Sequence, residues 1–241
     1  MHEAKLHEDN CFITLTYDDD HLALLPGADD NQPSLYPRHF VLFMKRLRKE
    51  YGEGLRFFQC GEYGDNTFRP HHHALLFNLR FPDQRLWNSQ SSSRTYTSES
   101  LNKLWGHGFC TIGEVNFASA SYVARYSMKK VFGPEAESWY QGRVPEYLTM
   151  SRRPGIGAGF FDKYQSEIYA RDSCLINGRE VKPPKFYDNK LERLDQDLFL
   201  TIKDSRKLAA TSNANNKPER LRVRERNATH RLKQYSERKK L

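Results

Sequence analysis

The chain has 241 residues, 38% hydrophobic and 28% charged, with 38 Lys and Arg against 30 Asp and Glu. That length supports one good core and permits a small second lobe, and no apolar run approaches the roughly 20 residues of a bilayer span, so no membrane partner is expected. MHEAKLHEDN has no apolar h-region to suggest secretion, and four scattered cysteines without a C-x-x-C pair read as reduced thiols in a cytosolic compartment.

In chain order, Cys11 to Tyr17 (CFITLTY) is β-branched and aromatic. It reads as a strand, with Thr14 and Thr16 on one face and Ile13 and Leu15 on the other. Asp18-Asp19-Asp20 ends it as turn and solvated surface, and a loop follows through Pro26-Gly27 to Pro33. Pro37 opens a helix striped by Phe40, Phe43, Met44, Leu47 and Tyr51, with Arg38, Lys45, Arg46, Arg48 and Lys49 around the stripe. Arg56 to Tyr63, a Gly64-Asp65-Asn66-Thr67 turn and His71 to Phe77 form a β-hairpin. Arg80 to Arg94 reads as a loop with a Ser-rich tip, Ser91-Ser92-Ser93. Thr97 to Trp105 is a short helix stopped at Gly106 and Gly108, and Phe109 to Val115 is a strand. Ser121 to Val131 is a further helix.

Strand, helix, strand, strand, helix, strand is the order of a ferredoxin-like split βαβ fold. The expected class is α+β, an antiparallel sheet with the histidine strand central and helices on one face. Beyond Gly133, Ser151 to Phe161 has too many glycines for a helix and sets Arg152 and Arg153 beside a flexible backbone that could cradle a phosphodiester. Leu191, Leu194, Leu198 and Ile202 recur at helical spacing. Residues 1–189 hold 23 basic and 23 acidic side chains, whereas 190–241 hold 15 and 7. A neutral body with a helical basic C-terminal extension points to a polyanion partner, most simply nucleic acid. The expected divisions are residues 1–165, 166–216 and a basic tail, 217–241.

The hairpin carries the chemistry. Alternation puts His71 and His73 on one face of the strand and His72 on the other. Glu62, on the partner strand, can come near the pair, and two imidazoles with one carboxylate leave coordination positions open for water or substrate. A solvent-facing histidine run is the plain alternative. Tyr122 and Tyr126, at i and i+4, share a helix face, with Lys129 and Lys130 following; packing against the sheet is the alternative for the tyrosines.

FITLTYDD, CGEYGDNTFRPHHHALLF, SYVARYSMKK and MSRRPGIG, in this order, resemble the HUH endonuclease superfamily of rolling-circle initiators and relaxases. Within it the chain is most similar to the replication initiators of microviruses, particularly the gokushovirus branch, over most of residues 1–165. The resemblance implies His71, His73 and Glu62 as ligands of Mg²⁺ or Mn²⁺, paired nucleophiles Tyr122 and Tyr126, and a helix lysine at Lys129 or Lys130. Thr14, Thr16, Arg69, Arg125, Arg152 and Arg153 are the expected DNA contacts. It further implies nicking of single-stranded origin DNA with a 5′-phosphotyrosine link and a free 3′-OH, in the host bacterial cytoplasm. There is no G-x-x-x-x-G-K-[ST], so a host helicase, with a host polymerase, is expected to serve the fork. The chain departs from the pattern at His72, where a hydrophobic residue is usual. Relatives of that branch also carry a cysteine-bearing segment ahead of MHEAKLHEDN, so a shortened start or a divergent member is expected. Two other readings stay open: a non-catalytic binding module stacking bases on Phe57, Phe58 and Tyr63, and a metallohydrolase indifferent to the tyrosines.

Overall fold

The computed structural model describes residues 1–22, 33–89, 94–125 and 130–238, with side chains through 233. Most of the loop through Pro26-Gly27, the Ser91-Ser92-Ser93 tip, Tyr126, Met128 and Lys129 lie outside the described residues. The chain divides into two compact units, 1–163 and 164–241.

The first unit is α+β. Its strands are β1 (Asn10–Leu15), β2 (Arg56–Tyr63), β3 (Pro70–Phe77), β4 (Arg85–Asn88), β5 (Thr95–Thr97), β6 (Cys110–Gly113) and β7 (Tyr147–Met150). They form one antiparallel sheet in the order β4-β5-β6-β1-β3-β2-β7. The histidine strand β3 is thus interior, paired along its length with β1 and β2. Because β1 and β2 both run antiparallel to β3, they are parallel to each other with β3 inserted between them. β4 and β7 were not foreseen; they add an edge on either side.

Sequence alternation decides what each face does. Cys11, Ile13 and Leu15 of β1 point to one face and are buried with Ala74 and Leu76 of β3. Over them lie α1 (Pro37–Tyr51), through Phe40, Phe43, Met44 and Leu47, and α2 (Glu99–Trp105), through Leu101 and Trp105. Each of these large side chains contributes about 1.5–3 kcal/mol by leaving water, and Phe43→Ala would cost about 3–5 kcal/mol with its cavity. Ser98 caps α2 by accepting the Leu101 N–H, and Gly106, at φ +68°, ends it.

The opposite face is also apolar: Phe12, Phe58, Cys60, Leu75 and Phe77 need a cover, and Val123 with Ala120 supplies it. These come from α3 (Phe117–Arg125). The expected placement of helices on one face is therefore corrected to helices on both. The helix also starts four residues earlier than Ser121, because Asn116 and Ser119 cap it reciprocally, each side chain accepting the other's backbone N–H. Lys130 and Val131 are not helical; the Val131 N–H goes to the Tyr140 hydroxyl instead. α4 (Glu135–Tyr140) follows.

At the N-terminus, buried Glu3 pairs with Arg56 and accepts the Gly157 N–H at 2.6 Å. Arg56 also donates to the Pro154 carbonyl, and Ser151 bonds Phe57 through both backbone and hydroxyl. SRRPGIG is thus tied down; Arg152 and Arg153 remain exposed on it. α5 (Ala158–Arg171) carries the boundary between the units.

In the second unit, β8 (Cys174–Ile176) and β9 (Arg179–Val181) form a hairpin. The single periodic stretch expected over Leu191 to Leu208 is two helices, α6 (Lys185–Leu194) and α7 (Gln196–Ser212). Asp195 breaks them by capping α7, so Leu191 and Ile202 are buried while Leu194 and Leu198 are exposed. Arg206 bonds both Asp172 and Asp188, and Tyr169 donates to Asp188 at 2.8 Å. Burial works to raise the Asp188 carboxyl, but Arg206 and Tyr169 hold it below its ordinary value. The basic segment is helical, α8 (Pro218–Arg238).

Candidate metal centre

The β2–β3 register sets Glu62 directly opposite His71, and β1–β3 sets Thr14 opposite His73. Alternation then turns Glu62, His71, His73 and Thr14 to the α3 face. One ligand atom from each of Glu62, His71 and His73 lies within 4.8 Å of the others. Glu62 Oε1 stands 2.6 Å from His71 Nε2 and 3.0 Å from His73 Nε2. The cluster is secluded: Glu62 is 2% exposed and His73 7%.

Each imidazole is held from behind. His71 Nδ1 lies 3.1 Å from the Arg69 carbonyl oxygen, which can only accept, so Nδ1 carries a proton. His73 Nδ1 lies 2.9 Å from the Thr14 hydroxyl. With Nδ1–H so engaged, Nε2 of His71 is the lone-pair nitrogen, and it faces a carboxylate oxygen at 2.6 Å. Two acceptors at that distance require a proton or a metal ion between them. Among the described residues Glu62 Oε2 is buried without a hydrogen-bond partner, a further lone pair available to a cation. Two oriented imidazoles and one secluded carboxylate fit a divalent metal, with Thr14 and Arg69 as the outer partners that such ligands need. Burial works to raise the Glu62 carboxyl, but hydrogen bonds from His71 and His73 outweigh it and keep the group ionised.

α3 brings Tyr122 over this cluster. Its hydroxyl donates to Glu62 Oε1 at 3.1 Å and lies 3.5 Å from His73 Nε2. Phe12 steadies the arrangement, parallel to the His73 ring at 5.6 Å and edge-on to Tyr122. Val123, the next residue, is fully buried under the helix, so packing falls to it and Tyr122 stays 37% exposed.

His72 faces the other way and is fully buried. Its Nε2 is 3.1 Å from the Tyr17 hydroxyl and its Nδ1 3.4 Å from the Tyr147 hydroxyl. Tyr147 reaches it only because Gly61 lies between: a Cβ there would meet the Tyr147 ring at 2.5 Å. Burial pushes the His72 imidazole down to about 3, so it is neutral. The histidine triplet is accordingly not a solvent-facing run.

The other expected contacts are dispersed. Thr16 donates to the Phe109 carbonyl at 2.7 Å, and Thr14 serves His73. Arg69 donates to Asp19 and to the Tyr17 carbonyl, lashing the hairpin turn to the end of β1. Arg125 is exposed and donates to the Ser121 carbonyl. Lys130 places its ammonium 5.6 Å from the Phe132 ring centroid. Of the proposed stacking surface, Phe57 and Phe58 are half-buried and Tyr63 is buried, donating to the Val144 carbonyl. Sequence reasoning missed Thr14 as the partner of His73; its place in the TLT alternation was the available signal.

Residues 10–131, which hold every residue of this cluster, match the family of replication-associated protein ORF2. The chain belongs to that family. Similar relatives include replication-associated protein ORF2 of Spiroplasma virus 4, 36% identical over 212 residues, which cover 83% of this chain and 64% of the relative. Replication-associated protein VP4 of Bdellovibrio phage phiMH2K is 36% identical over 78% of this chain and 59% of its own length. Replication-associated protein ORF4 of Chlamydia phage 1 is 31% identical over 80% and 48%. This member of the family thus spans about half to two thirds of the relatives it matches. Among solved structures none matches significantly. Among the described residues no helix is long and apolar enough to cross a membrane.

Proposed function

We propose that this chain is a rolling-circle replication initiator that nicks and rejoins single-stranded origin DNA in the bacterial host. The observation that carries the reading is Tyr122, whose hydroxyl meets the His71–His73–Glu62 cluster at Glu62 Oε1. Glu62, His71 and His73 would hold Mg²⁺ or Mn²⁺, which when bound polarises a non-bridging phosphate oxygen and positions the phosphodiester. The Tyr122 oxygen attacks phosphorus as its proton leaves toward a neighbouring base. The P–O3′ bond breaks, the 3′-oxygen departs as a hydroxyl after protonation, and the 5′-phosphate stays on tyrosine. Attack by a 3′-OH on that phosphotyrosine reverses the step without ATP. Tyr126, one turn on in sequence, supplies the second nucleophile in this proposal, and Lys129 or Lys130 offsets transition-state charge.

Residues 1–165 are the catalytic domain in this reading, and 166–216 a helical extension. The basic arm 217–241, with ten basic and three acidic side chains, adds non-specific affinity. Strand separation and extension fall to a host helicase and polymerase. Incubating the full chain with labelled single-stranded origin DNA and Mn²⁺ should give a covalent adduct that survives denaturation. Tyr122→Phe should reduce it, and Tyr122→Phe with Tyr126→Phe should remove it while metal binding persists. An adduct of undiminished yield in the double variant would overturn the tyrosine mechanism, and cleavage without any adduct would favour a metallohydrolase. Removing 217–241 should flatten the salt dependence of DNA binding and spare the adduct; an unchanged slope would detach the arm from DNA.

A further inference from the structure

We infer that Trp87 and Phe109 form a base-stacking subsite that anchors single-stranded DNA beside the metal centre, an inference that rests on the function proposed above. Trp87, on the edge strand β4, is 61% exposed, and Phe109, just before β6, is 40% exposed. Their rings lie 4.9 Å apart at an interplanar angle of 51°. A lone exposed aromatic on a soluble protein needs no explanation, but two held in contact in water form a platform.

Register places this platform on the catalytic face. Cys110 is buried in the α1 core, so alternation turns its neighbours Phe109 and Thr111 to the opposite face, that of His73. Thr111 pairs with Thr14, and Thr14 with His73, so a row of side chains crosses the sheet from the cluster to β6. Phe109 is two residues further along. Two strand spacings of about 4.8 Å and two residues of about 3.4 Å put Phe109 on the order of 12 Å from His73, within reach of nucleotides flanking a phosphate at the cluster. Thr14, Thr16 and Thr111 floor the strip between, polar without negative charge. Exposed Arg85 and Arg94 flank the ring pair and suit a polyanionic backbone. Every base has an aromatic face, so unpaired bases are the occupant that uses both features, whereas duplex DNA hides those faces.

The test is titration of the full chain with a short unstructured thymidine oligonucleotide, read by quenching of tryptophan fluorescence and by anisotropy of the labelled strand. Trp105 is fully buried, which favours Trp87 as a source of the quenching. Trp87→Ala and Phe109→Ala should each weaken binding on the order of tenfold, and Trp87→Phe should keep most of the affinity. The salt slope and binding to duplex of the same length should not change, because no phosphate contact is lost. Unchanged affinity in Trp87→Ala overturns the subsite, as does a variant that alters only oligomeric state, which would make the platform an interface between copies. At saturating origin oligonucleotide Trp87→Ala should still form the tyrosine adduct. If the wild-type chain forms no adduct yet shows Trp87-dependent binding, the nicking chemistry fails and the subsite stands.

Discussion

The two faces of β3 set identical residues in opposite roles. On the α3 face, His71 and His73 have their Nδ1 atoms engaged by a carbonyl and a hydroxyl, and their Nε2 atoms converge on a carboxylate. On the α1 face, His72 is clamped through both nitrogens by Tyr17 and Tyr147, among Phe40 and Trp105 rings. The first pair keeps lone pairs aimed at a common point; the second arrangement spends both nitrogens on the core. Partners, not residue type, distinguish a ligand from a strut.

The sharpest way to break that comparison is to substitute along the triplet. His71→Ala and His73→Ala should lower Mn²⁺ binding and adduct formation to background while the fold persists, measured by calorimetry, denaturing gel and circular dichroism. Metal removal with EDTA should reproduce the loss in the wild type. His72→Phe should do the reverse. Orphaning the Tyr17 and Tyr147 hydroxyls costs about 1–3 kcal/mol in chemical denaturation, with Mn²⁺ affinity retained by the folded fraction. His72→Tyr, which alternation alone would treat as harmless, adds volume to a fully buried site and should cost about 1–3 kcal/mol by overpacking. A folded His72→Phe that binds no Mn²⁺ would sink the assignment of faces.

Much of this was legible because β-strand alternation is rigid. The CFITLTY pattern and the two hairpin strands fix which residues share a face, and with them the approach of Glu62 to His71 and His73. The amphipathic stripe of α1 was equally clear, since Phe40, Phe43, Met44 and Leu47 recur at one helical spacing. Three things were not. The edge strands β4 and β7 are short and exposed or half-buried, so they lack a periodic apolar signal. The reciprocal cap at Asn116 and Ser119 carries no Glu or Gln at its third position, and the early start of α3 went unseen. The placement of α3 over the second face depends on Phe12, Phe58, Leu75 and Phe77 together, a patch assembled only when three strands pair.

The smallest expected effect tests the finest part of the comparison, the hydrogen bond behind His73. Thr14→Val keeps the shape of the side chain and removes the hydroxyl 2.9 Å from Nδ1. His73 would stay stacked on Phe12, but nothing then favours the tautomer with hydrogen on Nδ1. The alternative tautomer puts hydrogen on Nε2, where it blocks the lone pair a metal needs and donates to Glu62 instead. Losing such an outer partner weakens metal affinity by about 10–100-fold, and the hydrogen bond itself is worth about 1 kcal/mol of stability. Adduct formation by Thr14→Val should therefore fall at limiting Mn²⁺ and recover at saturating Mn²⁺, whereas His73→Ala recovers at neither. Thr14→Ser, which restores the hydroxyl, should bind Mn²⁺ nearly as the wild type does. If Thr14→Val binds Mn²⁺ with undiminished affinity, the hydroxyl does not set the tautomer, and the orientation of His73 rests on Phe12 and the strand alone.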